Sequence, residues 1–135
     1  MDIMKHVISS PKAPAAVGPY SQAIELNGTV FVSGQLPIDP AKGEMPEDVG
    51  SQTIASLNNI KMILEEAGLE MSDIVKTTVL LTDIGDFAEM NNAYAQFFPD
   101  SKPARVCYQV SALPKGAKVE IDAIAGREEY GQPTT

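Results

Sequence analysis

Asn27-Gly28, set between Ala23-Ile24-Glu25-Leu26 and Thr29-Val30-Phe31-Val32-Ser33, constrains this chain more than any other dipeptide in it. Two adjacent residues that accept positive φ close a two-residue hairpin whose twist matches its strands. Both flanking runs carry the β-branched and aromatic residues that strands favour. The chain therefore commits early to antiparallel pairing. Before it, Pro11, Pro14 and Pro19 predict an extended, loop-rich start, because proline fixes φ and biases its predecessor away from the helix. After it, Gly34, Pro37, Pro40 and Gly43 mark a connecting loop.

The period then changes. From about Asp48 to Ala67, apolar Ile54, Leu57, Ile60, Ile63, Leu64 and Ala67 recur at helical spacing, and Gly68 suits a left-handed stop. Ile74 to Leu81 is rich in Val, Thr and Leu and predicts a central strand. A second helix is expected from about Asp86 to Phe97, with Phe87, Met90, Tyr94 and Phe97 facing the core and Pro99 ending it. Ala104 to Val110 and Val119 to Ile124 are strand-like again, and Leu113-Pro114-Lys115-Gly116 between them is turn chemistry, which predicts a closing hairpin. The expected order is ββαβαββ, an α+β fold with a mixed sheet and both helices on one face. Residues 1–127 are expected to form one domain and residues 128–135 a mobile tail. Val30, Val32, Thr78 and Leu80 cannot all turn toward the helices with their neighbours. A half-apolar open sheet face predicts a homo-oligomer.

Composition excludes several chemistries. The single cysteine, Cys107, rules out an intramolecular disulfide and suits a reducing compartment. One histidine, His6, near a terminus expected to fray, leaves no histidine pair for catalysis and, with one cysteine, no zinc cluster, so no metal is expected. A net charge of −8 opposes the phosphate neutralisation on which nucleic-acid binding relies. No signal-like run and no stretch near the roughly 20 apolar residues of a membrane span occurs, so a soluble cytoplasmic protein with no membrane partner is the expectation.

Arg105 and Glu120 stand out because each is a charge inside an otherwise strand-like run. A guanidinium offers a rigid fork of donors matched to a carboxylate, which makes Arg105 a candidate anchor for a small anionic substrate and Glu120 a candidate acid or base. Side chains alternate along a strand, so Lys118, Glu120 and Asp122 share one face and Val119, Ile121, Ala123 and Ala125 the other. The expected register joins Arg105 and Cys107 to the Glu120 face and sends Val106 into the core with Val119. The same pair also fits an ion pair on a solvated sheet face.

Five separated motifs, in order over about residues 5–127, resemble the RidA (YjgF-like) family. They are Ala15-Ala16-Val17-Gly18-Pro19-Tyr20-Ser21-Gln22, Val32-Ser33-Gly34-Gln35-Leu36-Pro37, Phe87-Ala88-Glu89-Met90-Asn91, Pro103-Ala104-Arg105, and Leu113-Pro114-Lys115-Gly116 with Val119-Glu120-Ile121. The resemblance implies a chorismate-mutase-like fold in a homotrimer with sites at the subunit clefts. It also implies hydrolysis of reactive 2-imino acids, formed from 2-aminoacrylate and 2-aminocrotonate, to 2-keto acids and ammonia, without a cofactor. By the same resemblance Arg105 is similar to the carboxylate clamp and main-chain groups at Cys107 to the holders of the imine or keto end. Glu120 is similar to the group that activates water, Tyr20 to the ring covering the ligand, and Ser33, Gly34 and Asn91 to the rest of the pocket. Val106 and Gln109 depart from the family pattern, and Gln109, on the expected Arg105 face, is placed to alter the pocket's charge.

Three function classes remain open on the sequence: an imine deaminase, a 2-keto-acid-binding regulatory trimer without turnover, and an endoribonuclease or translation inhibitor. Retention of both Arg105 and Glu120 favours the first, because a carboxylate sensor needs the clamp but not the acid. A Cys107 nucleophile lacks a histidine to activate it.

Overall fold

The computed structural model describes residues 5–127. A strand that the proline-rich start concealed comes first: β1 (Lys5–Ile8) pairs antiparallel with β2 (Ala23–Leu26), placing His6 opposite Glu25. Asn27 (φ 49°) and Gly28 (φ 85°) then form the expected two-residue turn into β3 (Thr29–Gln35). The expected seven elements all follow in order, so the full succession is βββαβαββ.

Helix α1 (Val49–Glu66) starts where Asp48 accepts the Ser51 N–H at 2.9 Å, and Glu89 reaches across to accept the Gly50 N–H at 3.1 Å. It ends as expected at Gly68 (φ 76°), with the Leu69 N–H on the Leu64 carbonyl at 2.8 Å. Leu57, Ile60, Ile63 and Leu64 are fully buried, each contributing about 1.5–3 kcal/mol of apolar burial. Ile54, expected on the same stripe, is only partly buried. Polar residues on the helix are buried to hold loops: Asn59 donates to the Leu36 and Ile38 carbonyls at 3.1 and 2.9 Å, and Gln52 donates to the Pro46 carbonyl at 2.8 Å.

Strand β4 (Ile74–Leu81) is internal, as expected, and leads through a 3-10 turn (Ile84–Asp86) to α2 (Phe87–Ala95). On α2, Met90 and Tyr94 are buried, but Phe87 is partly exposed and Phe98 takes the core position expected of Phe97. Strand β5 (Ala104–Gln109) lies parallel to β4, and β6 (Val119–Gly126) inserts antiparallel between β3 and β4. The sheet order is β1-β2-β3-β6-β4-β5.

The expected β5–β6 hairpin is therefore wrong. The pair β4–α2–β5 is a parallel crossover, which needs the helix to carry the chain back. The Leu113-Pro114-Lys115-Gly116 turn, with Lys115 at φ 60° and Gly116 at φ 69°, steers the return past β4 instead of closing a hairpin.

The expected face of β5 is wrong with it. On the helix side lie Val30, Val32, Thr77, Val79, Leu81, Val119, Ile121, Ala123 and Ala125, all buried. Because Arg105 pairs with Thr77 and Cys107 with Val79, both residues share that side. Val106 and Tyr108, 42% and 50% exposed, lie on the open face with Leu80, Glu120 and Asp122. Val30 and Val32 point to the helices, while Thr78 and Leu80 stay on the open side. That side also carries Phe31 and Ile124, opposite each other across β3 and β6, and is half apolar as expected.

Candidate active site

Arg105 sits where the crossover brings β5 against α2. Its Nη1 donates to Asn91 Oδ1 at 2.7 Å, and its guanidinium carbon lies 4.8 Å from the Tyr94 ring centroid and 5.5 Å from that of Phe87. Phe87, Asn91 and Tyr94 are spaced i, i+4, i+7, one stripe of the helix. Among the described residues the ion pair formed is Arg127 with Glu25, and no carboxylate pairs with Arg105. A half-buried guanidinium held by one neutral amide and two ring faces keeps most of its five donors for an incoming anion. The cleft beside it, about 410 Å³, is lined by Asn91, Tyr94, Phe98, Lys102, Pro103 and Arg105.

Cys107 follows on the same face, half-buried against the core. Burial pushes its thiol pKa up, and the nearby Arg105 charge only partly offsets this. Its side chain is a small hydrophobe rather than a thiolate. Because β5 is an edge strand, the outer side of its main chain has no strand neighbour among the described residues. Gln109 accepts the Ile84 N–H at 2.8 Å and so braces the turn ahead of α2. Its side-chain oxygen is engaged at that turn, and Gln109 shares the strand face of Arg105 as expected without lining the Arg105 cleft.

A second group gathers at the end of β3. The β3–β6 register slips between Val32 and Gln35, and this irregularity brings Gly34 against Glu120. The Glu120 carboxylate fills the space a Cβ at Gly34 would need, its Cδ only 3.0 Å from that point. Glycine leaves the carboxylate room for this close approach. Ser33 donates from Oγ to the Ser21 carbonyl at 2.6 Å and from N–H to the Gln22 carbonyl at 2.9 Å, fastening the Tyr20 loop to β3. Tyr20, half-exposed, shares a cleft of about 250 Å³ with Gly34, Leu36, Ile38 and Lys115.

Burial raises the Glu120 pKa above the usual carboxylate value, and the Asp122 charge raises it further. Asp122 itself accepts the Thr78 N–H at 3.0 Å, in keeping with a structural role. A carboxylate whose pKa is raised holds a proton more readily than a free one and can take up and return it beside a cleft.

The predicted site residues thus fall into two sets. Arg105, Asn91 and Cys107 stand together on the helix side of β5; Tyr20, Ser33, Gly34 and Glu120 stand together around the end of β3. Sequence reasoning placed Phe87 and Tyr94 in the core and missed that they flank the guanidinium, although their stripe with Asn91 was visible. Among the described residues, no three His, Cys, Asp or Glu side chains cluster as a metal site, and no helix is long and apolar enough to cross a membrane.

Comparison with known proteins places these features in a wider set. The family described as endoribonuclease L-PSP matches residues 10–127. A Bos taurus protein named 2-iminobutanoate/2-iminopropanoate deaminase is 51% identical over 124 residues, 91% of this chain and 90% of its own. The crystal structure of E. coli TdcF with bound serine superposes with a TM-score of 0.88 at 48% identity, covering 91% of this chain and 99% of that one. The E. coli YjgF gene product gives 0.88 at 47% identity, with coverage of 91% and 99%.

Proposed function

This chain belongs to the RidA/YjgF family, described also as endoribonuclease L-PSP, and from that membership we propose that it hydrolyses reactive 2-imino acids to 2-keto acids and ammonia. The observation that carries the reading is Arg105: a half-buried cation, oriented by Asn91, with no carboxylate partner among the described residues and a cleft at its tip. Such a group is a receptor for the carboxylate of a small acid. The activity named for the Bos taurus relative fits that receptor.

In this reading Arg105 holds the substrate carboxylate and main-chain groups at Cys107 hold the imine end. Glu120 takes a proton from water as the water oxygen bonds to the imine carbon, and passes that proton to the nitrogen as the C=N pair moves there, giving a carbinolamine. Glu120 then takes the carbinolamine hydroxyl proton and delivers it to the amino nitrogen as the carbon–nitrogen bond breaks, so that the keto group forms and ammonia leaves. No redox change occurs and no cofactor enters. Orientation and one proton shuttle are the whole requirement. Tyr20, Ser33, Gly34 and Asn91 complete the pocket.

Because Arg105 and Glu120 leave opposite faces of the sheet, the reading requires Arg105 of one copy to meet Glu120 of another. A homotrimer joined through the open faces, operating in the cytoplasm, provides such clefts. An endoribonuclease role has less support, since the net charge is −8 and the only histidine, His6, lies on β1 at the far edge of the sheet from β5.

The test is a coupled assay in which an amino-acid oxidase makes 2-imino acids and semicarbazide captures what is not hydrolysed. Wild type should speed imine loss, and Arg105→Ala should cost at least about tenfold, the loss of one charge-assisted hydrogen bond or more. Equal activity in the variant would sink the Arg105 assignment, and keto-acid binding without turnover would replace the enzyme by a sensor.

A further inference from the structure

Tyr94 is held from two directions. Its hydroxyl lies 2.7 Å from Thr77 Oγ1, both residues being buried, and its ring packs on Phe98 with centroids 4.8 Å apart. Thr77 is also the β4 partner of Arg105, so strand pairing and the hydroxyl contact fix the ring and the arginine relative to each other. The guanidinium lies over that ring at 4.8 Å and near Phe87 at 5.5 Å, within the range where a cation is attracted to an aromatic face.

We infer that Tyr94, anchored by Thr77, and Phe87 are positioning residues for the Arg105 clamp, which rests on the deaminase reading above. A free arginine side chain has several rotatable bonds and loses much rotamer freedom when a carboxylate docks. Here the two rings and Asn91 spend that freedom before the substrate arrives. Asn91 takes one hydrogen of Nη1, and the rings take none, so the remaining donors stay available for bidentate capture. The platform acts on substrate binding and leaves the proton transfer at Glu120 untouched.

The experiment measures kinetics in the coupled imine assay and, separately, 2-ketobutyrate binding by calorimetry, for wild type, Tyr94→Leu, Tyr94→Phe, Phe87→Leu and Arg105→Ala. Tyr94→Leu should raise KM and the 2-ketobutyrate Kd about 5- to 20-fold with kcat within about twofold, the split expected for lost uniform binding. Tyr94→Phe keeps the ring face and should hold both within about threefold. Phe87 is partly exposed, so Phe87→Leu spares the core and should raise Kd about two- to fivefold; it decides the matter if Tyr94→Leu does not fold. Unchanged Kd in folded Tyr94→Leu, or equal losses in Tyr94→Leu and Tyr94→Phe, overturns the platform, as does unchanged Kd in Phe87→Leu where that variant alone folds. Absence of turnover in wild type would end the deaminase reading yet leave the Kd comparison to judge the platform. Absence of both turnover and binding overturns the clamp and the platform with it.

Discussion

Arg105 and Glu120 project from opposite faces of one sheet, Arg105 from the edge strand β5 and Glu120 from β6 two strands inward. Two strand spacings alone separate them by about 10 Å, and the sheet stands between their side chains. A ligand of four carbons cannot touch both in one copy. The half-apolar open face supplies a reason for copies to assemble, since Phe31, Val106 and Tyr108 are each more than 40% exposed there.

Gly34→Ala separates fold from chemistry. Gly34 is not among the residues at positive φ, so an alanine meets no backbone strain; what it meets is the Glu120 carboxylate, the far end of a flexible side chain. Glu120 should move aside. Denaturant unfolding is expected to stay within about 1 kcal/mol of wild type while kcat falls about tenfold or more, as for a misplaced general base.

Glu120→Gln should change the pH dependence of stability in a definite direction. A carboxyl whose folded pKa is raised binds its proton more tightly in the folded state, so stability falls as pH climbs from 4.5 through the raised value. The glutamine variant should lose that fall, and Asp122→Asn should narrow it. Chemical unfolding between pH 4 and pH 8 checks this; parallel curves for wild type and Glu120→Gln would remove the basis for a perturbed acid.

Arg127 clasps three elements. It donates to both Glu25 carboxylate oxygens at 3.0 and 2.8 Å and to the Ala67 carbonyl at the end of α1 at 2.8 Å. Arg127→Ala should cost about 1–2 kcal/mol, because the pair is only partly exposed and bidentate. The Arg127 hydrogen bond lowers the Glu25 pKa, so its contribution is full above 4.5 and is lost as pH falls below that value. The stability difference between wild type and variant should accordingly shrink in acid, as read by thermal melts.

Local signals were legible; the neighbour relations were not. Asn27-Gly28, the α1 stripe, Gly68 and the β4 run each declared their element, since each rests on short-range chemistry. Strand β1 was hidden because three prolines follow close behind it, although none lies within it. The β5–β6 hairpin failed because alternation fixes which residues share a face within a strand but not which strand lies alongside. The strand–helix–strand succession from β4 to β5 carried the better signal, that of a parallel crossover. The face of Arg105 went wrong for a related reason: apolar Val106, expected in the core, lies with Tyr108 on the open face. Arg105 and Glu120 stood out as charges inside strand-like runs and the remaining site residues came from the family motifs, but their division into two sets needed the sheet order.

The most direct measurement mixes subunits. Chains carrying Arg105→Ala and chains carrying Glu120→Gln, each expected to retain below about a tenth of wild-type imine hydrolysis, are unfolded together in equal amounts and refolded. If every site takes its arginine from one copy and its glutamate from a neighbour, half of the arginine donors and half of the glutamate donors are intact. About a quarter of wild-type activity should then return. A mixture no more active than the average of its two parents would contradict a site shared between copies.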